Sequence, residues 1–180
     1  MFSSTTVVVD VDEFRSLRGH ARDIAFMDVE IEIRRLTALR ADLVHEVKTS
    51  LSFLDDQHHT AGFWFQAVTN GRRGSGTQAV RTGATLADMP VLAAAARAGE
   101  IGEDQLALLS RIHANPRVRD LLPASDELLT GLARMLAYRE FDLACQRCSL
   151  TPTRTAHPRT MIARVRSGMS PQGLSATSSN

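Results

Sequence analysis

The sequence predicts an all-α fold: an irregular bundle built on a long N-terminal helix, a helical hairpin and a long final helix, with disordered termini. Over a run of some thirty residues, apolar side chains recur at steps of three and four, the spacing of a helix face. Proline, glycine and short polar residues then punctuate the chain where helix caps require them. Only Val7-Val8-Val9 could start a strand, and no second strand is available to pair with it.

Residues 1–22 read as a flexible N-terminal segment. The long helix is expected over residues 23–54, on the row Ile24, Met27, Ile31, Leu36, Leu39, Leu43, Val47, Leu51 and Leu54. A helix of that length is a rod of about 50 Å. Counted as heptads from Leu36, Leu39 and Leu43, a coiled-coil seam meets Glu46 and Ser50, so the row is read as packing along a helical core. Asp55-Asp56-Gln57-His58-His59 closes this helix, and Gly62-Phe63-Trp64-Phe65 is the densest aromatic spot in the chain. Gly71-Arg72-Arg73-Gly74-Ser75-Gly76 is expected to be a flexible basic loop, followed by a short helix over 77–81.

Asp88 is expected to cap a helix that has Pro90 in its first turn, runs over 91–98 and ends on Gly99. Glu103 and Asp104 open the next helix, where carboxylates meet the positive end of the dipole, and Leu106, Leu109 and Ile112 form its inner stripe. Asn115-Pro116 starts a short helix over 116–122 that Pro123 stops. Ser125, with Asp126 and Glu127, starts a final helix expected to run unbroken to residue 148 on Leu128, Leu132, Met135, Leu136 and Leu143.

The character changes after Cys148. Residues 149–180 contain no Asp, Glu or aromatic residue, but three prolines and eleven Ser or Thr, too little apolar surface to offset the entropy of ordering them. The expected organisation is therefore one helical domain over residues 23–148 and a disordered tail over 149–180.

Net charge is +1, which carries no overall signature of a nucleic-acid binder, but charge is unevenly distributed. Residues 1–60 are net −4 and residues 61–99 net +3. Arginine supplies 20 of the 21 basic residues, and Lys48 is the sole lysine. Two cysteines are too few for a disulfide framework. No signal peptide and no membrane span is expected, which makes the cytoplasm the default location.

Several short patterns invite a chemical reading. His58-His59 beside Asp55-Asp56 has metal-ligand residue types but lacks flanking strands, so a solvated helix end is the simpler reading. Cys145-Gln146-Arg147-Cys148 is a single CxxC without a second ligand pair or a βαβ context, which leaves two semi-buried thiols on one helix face. Gly74-Ser75-Gly76-Thr77-Gln78-Ala79 matches GxGxxA, but no strand precedes it. No assembled catalytic constellation, metal or cofactor is expected. The residues 91–98 and 103–114, joined across Gly99 and Gly102, have helix-turn-helix spacing. The second helix, however, opens on Glu103 and Asp104, which would meet phosphates with like charge, so a structural hairpin is expected. The basic patch left is Arg72, Arg73 and Arg81 with Trp64 near them: guanidinium groups can follow a phosphate backbone and an indole can stack on a base, although a solvated loop beside a buried tryptophan explains them as well.

Thr82-Gly83-Ala84-Thr85-Leu86-Ala87-Asp88-Met89-Pro90, an alanine helix, Ala98-Gly99-Glu100-Ile101-Gly102-Glu103-Asp104-Gln105 and His113-Ala114-Asn115-Pro116-Arg117-Val118 follow in order. Over residues 24–148 the chain resembles the actinobacterial family known as domain of unknown function 222, which includes the thirteen-E-twelve repeat proteins. In that family the helical module usually precedes a C-terminal HNH nuclease domain. The resemblance implies a non-catalytic accessory module that assists DNA binding, here without its nuclease. After Leu143 to Arg147 the family continues with a Trp and a Leu-Ala-Asp run, whereas this chain has Cys148-Ser149-Leu150-Thr151-Pro152. A shifted reading frame in GC-rich DNA would produce such an acid-free tail, and translating the downstream frames tests that. The expected partners are DNA, or a second copy or another protein bound along the first helix; a truncated, non-functional product is the remaining alternative.

Overall fold

The computed structural model describes residues 10–149, and every regular element among them is helical. The expectations for residues 1–9 and 150–180 lie outside the described residues. Two compact units divide the chain, one running to Asp142 and the other beginning at Leu143. Of the second, residues 143–149 are described, and they continue a helix.

The segment before the long helix is not featureless. Asp10 accepts the backbone N–H of Asp12 at 2.8 Å and caps α1, Val11–Ser16. The long helix, α2, runs His20–Thr49, a rod of about 45 Å. It starts three residues earlier than expected and ends five earlier. Leu51 takes a left-handed backbone (φ 60) and a single 3-10 turn, Ser52–Leu54, follows. The Ser50 and Thr49 hydroxyls both turn back to donate to the carbonyl of Glu46, loosening the last turn.

The row expected to face the core is largely turned to solvent. Ile24, Met27, Leu36, Leu39 and Leu43 are all exposed, between 39% and 57%, while α2 buries Ala38, Ala41 and Val44. The reason lies in the helix it packs against. α4, Ser75–Asp88, places Gly83 so close to α2 that a Cβ there would stand 2.5 Å from the carbonyl oxygen of Ala41. Such an approach admits small residues only, and at 100° per residue Leu36, Leu39 and Leu43 fall on the opposite side of α2.

α3, Ala61–Thr69, is capped by Thr60, whose hydroxyl oxygen accepts the N–H of Phe63 at 3.2 Å. It crosses α4 where two glycines meet: a Cβ on Gly76 would stand 2.0 Å from the carbonyl oxygen of Gly62. The expected short helix over 77–81 is thus the middle of a fourteen-residue helix whose first turn comes out of the arginine loop.

α5, Pro90–Arg97, ends as expected on Gly99, at φ +78, with the N–H of Glu100 donating to the carbonyl of Ala95 at 3.0 Å. Its start is a correction. Asp88 belongs to α4 and does not cap α5; Asp126, buried, supplies the cap by accepting Val91 N–H at 2.7 Å and Leu92 N–H at 3.0 Å. α6, Glu103–His113, begins where the side-chain carbonyl of Gln105 accepts the N–H of Gly102 at 3.0 Å. Asn115 caps α7, Pro116–Arg119, by accepting Arg117 N–H at 3.1 Å.

The single final helix expected over 125–148 is two helices. α8, Asp126–Met135, and α9, Tyr138–Ser149, are separated by an extended Leu136, whose carbonyl accepts the amide N–H of Gln105 at 2.9 Å. No proline or glycine marks that break in the sequence. The fully buried large side chains of the first unit are Leu86, Met89, Leu92, Ile101, Leu109, Val44 and Phe141. α5 packs on α2 and α8, and α6 on α4, which makes α4 and α5 the inner layer. Across it, Arg97 donates to Asp42 at 2.7 and 3.0 Å.

Candidate functional site

α4 is the element on which the four sequence-selected residues converge or fail to. Arg72 and Arg73 precede it, Arg81 lies in its middle and Trp64 comes from α3 beside it. Ser75, Gln78, Ala79 and Thr82 lie on one side of α4, and Thr77, Val80 and Arg81 lie about half a turn away on the other. Two concavities follow from that division.

The first, about 300 Å³, holds Arg72 together with Arg40 of α2. The Arg40 guanidinium stands 6.0 Å from the centre of the Phe65 ring, a cation–π distance. Glu103 and Asp104 line the same hollow, and Glu103 accepts a hydrogen bond from the hydroxyl of Thr37. Two guanidinium groups and two carboxylates nearly cancel, so this hollow does not concentrate positive potential. The tie to Thr37, with Gln105 bridging Gly102 and Leu136, fastens the first turn of α6 into the bundle.

The second concavity, about 510 Å³, brings three basic residues together over a largely apolar lining. Arg81, Lys48 from the end of α2 and His59 surround a floor that includes Leu51, Phe53 and Val80, and no carboxylate lines it. None of these three basic groups is ion-paired among the described residues. Arg73 is exposed and Trp64 half-buried, and neither lines either hollow. Sequence reading thus singled out one basic patch where the fold divides Arg72 and Arg81 between two hollows, one of them free of carboxylates, and it missed Arg40, Lys48 and His59 as their neighbours. Lys48, as the sole lysine, was the available signal.

The other short patterns have packing explanations. In the GxGxxA run, Gly74 begins α4 at φ +95 and Gly76 makes the crossing with α3. Among the described residues no group of three or more His, Cys, Asp or Glu could hold a metal ion, the pair His58-His59 with Asp55-Asp56 included. Cys145 is buried in α9, and the side chain of Cys148 lies outside the described residues. The buried His113 is held by Asp88, with Nε2 2.8 Å from the carboxylate, at the foot of α4. Ser110 donates to the carbonyl of Leu106 at 2.8 Å and lies 3.2 Å from the hydroxyl of Thr82, so the polar groups between α6 and α4 are satisfied by the helices themselves.

Among the described residues no helix is long and apolar enough to cross a membrane. No protein-family model, no curated protein and no solved structure matches the chain.

Proposed function

We propose that the chain is a non-catalytic, cytoplasmic helical module that docks through α2, comparable in role to the module its sequence resembles in HNH endonuclease-like proteins. One observation supports this reading: Leu36, Leu39 and Leu43 stand exposed on the side of α2 that faces away from its own bundle. Contiguous exposed apolar surface of several hundred Å² is roughly what marks an interaction site on a soluble protein. Sedimentation of the full chain over a range of concentrations tests it. Association should appear as concentration rises and vanish on changing Leu36 and Leu43 together to Glu, with helicity unchanged. A chain that sediments as a monomer throughout would count against the reading.

DNA contact through Arg72, Arg73 and Arg81, with Trp64, is the second reading. It is favoured by the carboxylate-free hollow around Arg81, Lys48 and His59. Duplex binding should then weaken steeply with salt, since each phosphate contact releases counterions. Changing Arg81 with Lys48 should cost more affinity than changing Arg72, whose hollow also holds Glu103 and Asp104. Equal losses from both changes would count against it.

A further inference from the structure

Leu51 occupies a backbone conformation that suits glycine. It follows α2 at φ 60, the left-handed position at which helices commonly end on glycine because a Cβ there is strained. Its side chain is 54% exposed, so packing within the bundle does little to offset that strain. What the leucine does supply is one side of the carboxylate-free hollow, where it joins Phe53, Ala61 and Val80 as the apolar lining. Backbone strain kept beside a cavity for the sake of an exposed apolar side chain is a feature of ligand-facing positions.

The cations around that lining have no partners of their own. Lys48, Arg81 and His59 are all exposed, and among the described residues none of their side chains makes an ion pair or a hydrogen bond. Lys48 and Arg81 match the charge of roughly −2 that a phosphate monoester carries at neutral pH, and the His59 ring adds an N–H donor. The backbone of a nucleic acid would use those groups and leave the apolar lining wet. No exposed aromatic ring lines the hollow for a base to stack on, since Phe53 is buried. An alkyl chain carried by the phosphate covers the lining instead. The hollow, about 510 Å³, has the size of a small-molecule site. A membrane surface matches it less well than a soluble molecule: lipid-binding patches gather about four or more Lys or Arg, whereas here exposed Asp55 and Asp56 follow the Ser52–Leu54 turn directly.

We propose that this hollow, formed by the end of α2, the turn after it and α4, binds a small soluble alkyl phosphate. The phosphate sits among Lys48, Arg81 and His59, and the alkyl chain lies against Leu51, Phe53 and Val80. The site is independent of docking through α2 and of duplex binding.

Isothermal titration calorimetry of the full chain with monooctyl phosphate, monobutyl phosphate, octanoate and inorganic phosphate tests this. Octyl phosphate should bind once per chain and about tenfold or more tighter than butyl phosphate, since each buried methylene contributes up to about fourfold. Octanoate, with a single charge, and inorganic phosphate, with no chain, should both bind more weakly than octyl phosphate. Lys48→Gln with Arg81→Gln should weaken octyl phosphate about tenfold or more with helicity unchanged, both side chains being exposed. Leu51→Gly should melt at the original temperature or above it, because glycine relieves the left-handed backbone, yet lower the preference for octyl over butyl phosphate about threefold or more. Equal affinity for the two alkyl phosphates, or an unchanged preference in Leu51→Gly, would overturn the site. So would the absence of saturable octyl phosphate binding up to about 1 mM, with or without binding to duplex DNA. Octanoate binding as tightly as octyl phosphate would overturn the assignment to a phosphate. Phosphatidylcholine vesicles carrying phosphatidic acid should leave the chain in the supernatant, and pelleting that depends on Lys48 and Arg81 would overturn the soluble source.

Discussion

The carboxylate of Asp126 accepts the backbone N–H of Leu92 at 3.0 Å, across a separation of 34 residues. The second carboxylate oxygen takes Val91 N–H, and the hydroxyl of Thr130 donates to the first at 3.2 Å. Pro90 has no N–H to offer, so one side chain from α8 satisfies the free donors that follow it at the start of α5. The two helices are joined by their polar ends as well as by their apolar faces.

Replacing Asp126 should therefore cost more than an ordinary cap. Asp126→Ala leaves one buried and one part-buried N–H group without acceptors and should destabilise the fold by about 2–4 kcal/mol, against roughly 1 kcal/mol for a surface cap. Asp126→Asn, which keeps one acceptor, should fall between. Urea denaturation followed by circular dichroism gives both values, and an Ala variant within 0.5 kcal/mol of the original, about the noise of a surface substitution, would refute the account.

The α3–α4 crossing predicts an asymmetric pair of glycine substitutions. Gly76→Ala puts a methyl group 2.0 Å from a backbone oxygen, which cannot yield as a side chain can, and should destabilise by roughly 3 kcal/mol or more. Gly74→Ala has open space around it and meets only the strain of φ +95, about 1 kcal/mol. Thermal melts of the two variants should differ by several degrees in that order.

The two sides of α2 should respond oppositely to substitution. Ala41→Leu forces a larger side chain into the approach of Gly83 and should cost about 1–3 kcal/mol. Leu36→Glu replaces an exposed side chain and should change monomer stability by less than about 0.5 kcal/mol. Equal destabilisation by both would mean that Leu36 faces inward.

Asp88 sits at half exposure but holds a histidine that is almost fully buried. Asp88→Ala should leave Nε2 of His113 without its acceptor or donor and cost about 1–2 kcal/mol, whereas Asp88→Asn should recover most of it. Double substitution with His113→Leu should cost less than the sum of the two single changes, the mark of a direct pair.

Arg97 makes a fork of two hydrogen bonds to Asp42 from an exposed position. The bond it donates to Asp42 raises the guanidinium above its ordinary value; burial opposes this, and the carboxylate's charge assists it. A raised cationic group contributes fully below its ordinary pKa and loses that contribution only above it. The stability assigned to Arg97, at most about 1 kcal/mol for so exposed a pair, should thus be constant between about pH 6 and pH 9. Comparing Arg97→Ala with the original at both pH values checks this.

Much of the helical framework was legible along the chain because its signals are local. Gly99 terminates α5, Asn115-Pro116 starts α7, and Glu103 with Asp104 opens α6, each for reasons contained within one turn. The site was less legible. Arg72 and Arg81 lie nine positions apart in sequence, and their separation into two hollows depends on which sides of α4 they occupy and on what α2 and α3 bring to each side.

By itself the sequence determined the helical class, the long first helix and the caps at Gly99 and Asn115, since periodicity and capping act within a few residues. Tertiary structure decided which face of α2 turns inward. Leucines and alanines both recur at helical spacing there, and only the glycine on α4 makes the alanine face the one that fits. It also decided that Asp126 caps a helix 34 residues away and that the last helix breaks at Leu136, where Gln105 supplies a hydrogen bond from α6. In each case the deciding partner lies far along the chain, where no local pattern can indicate it.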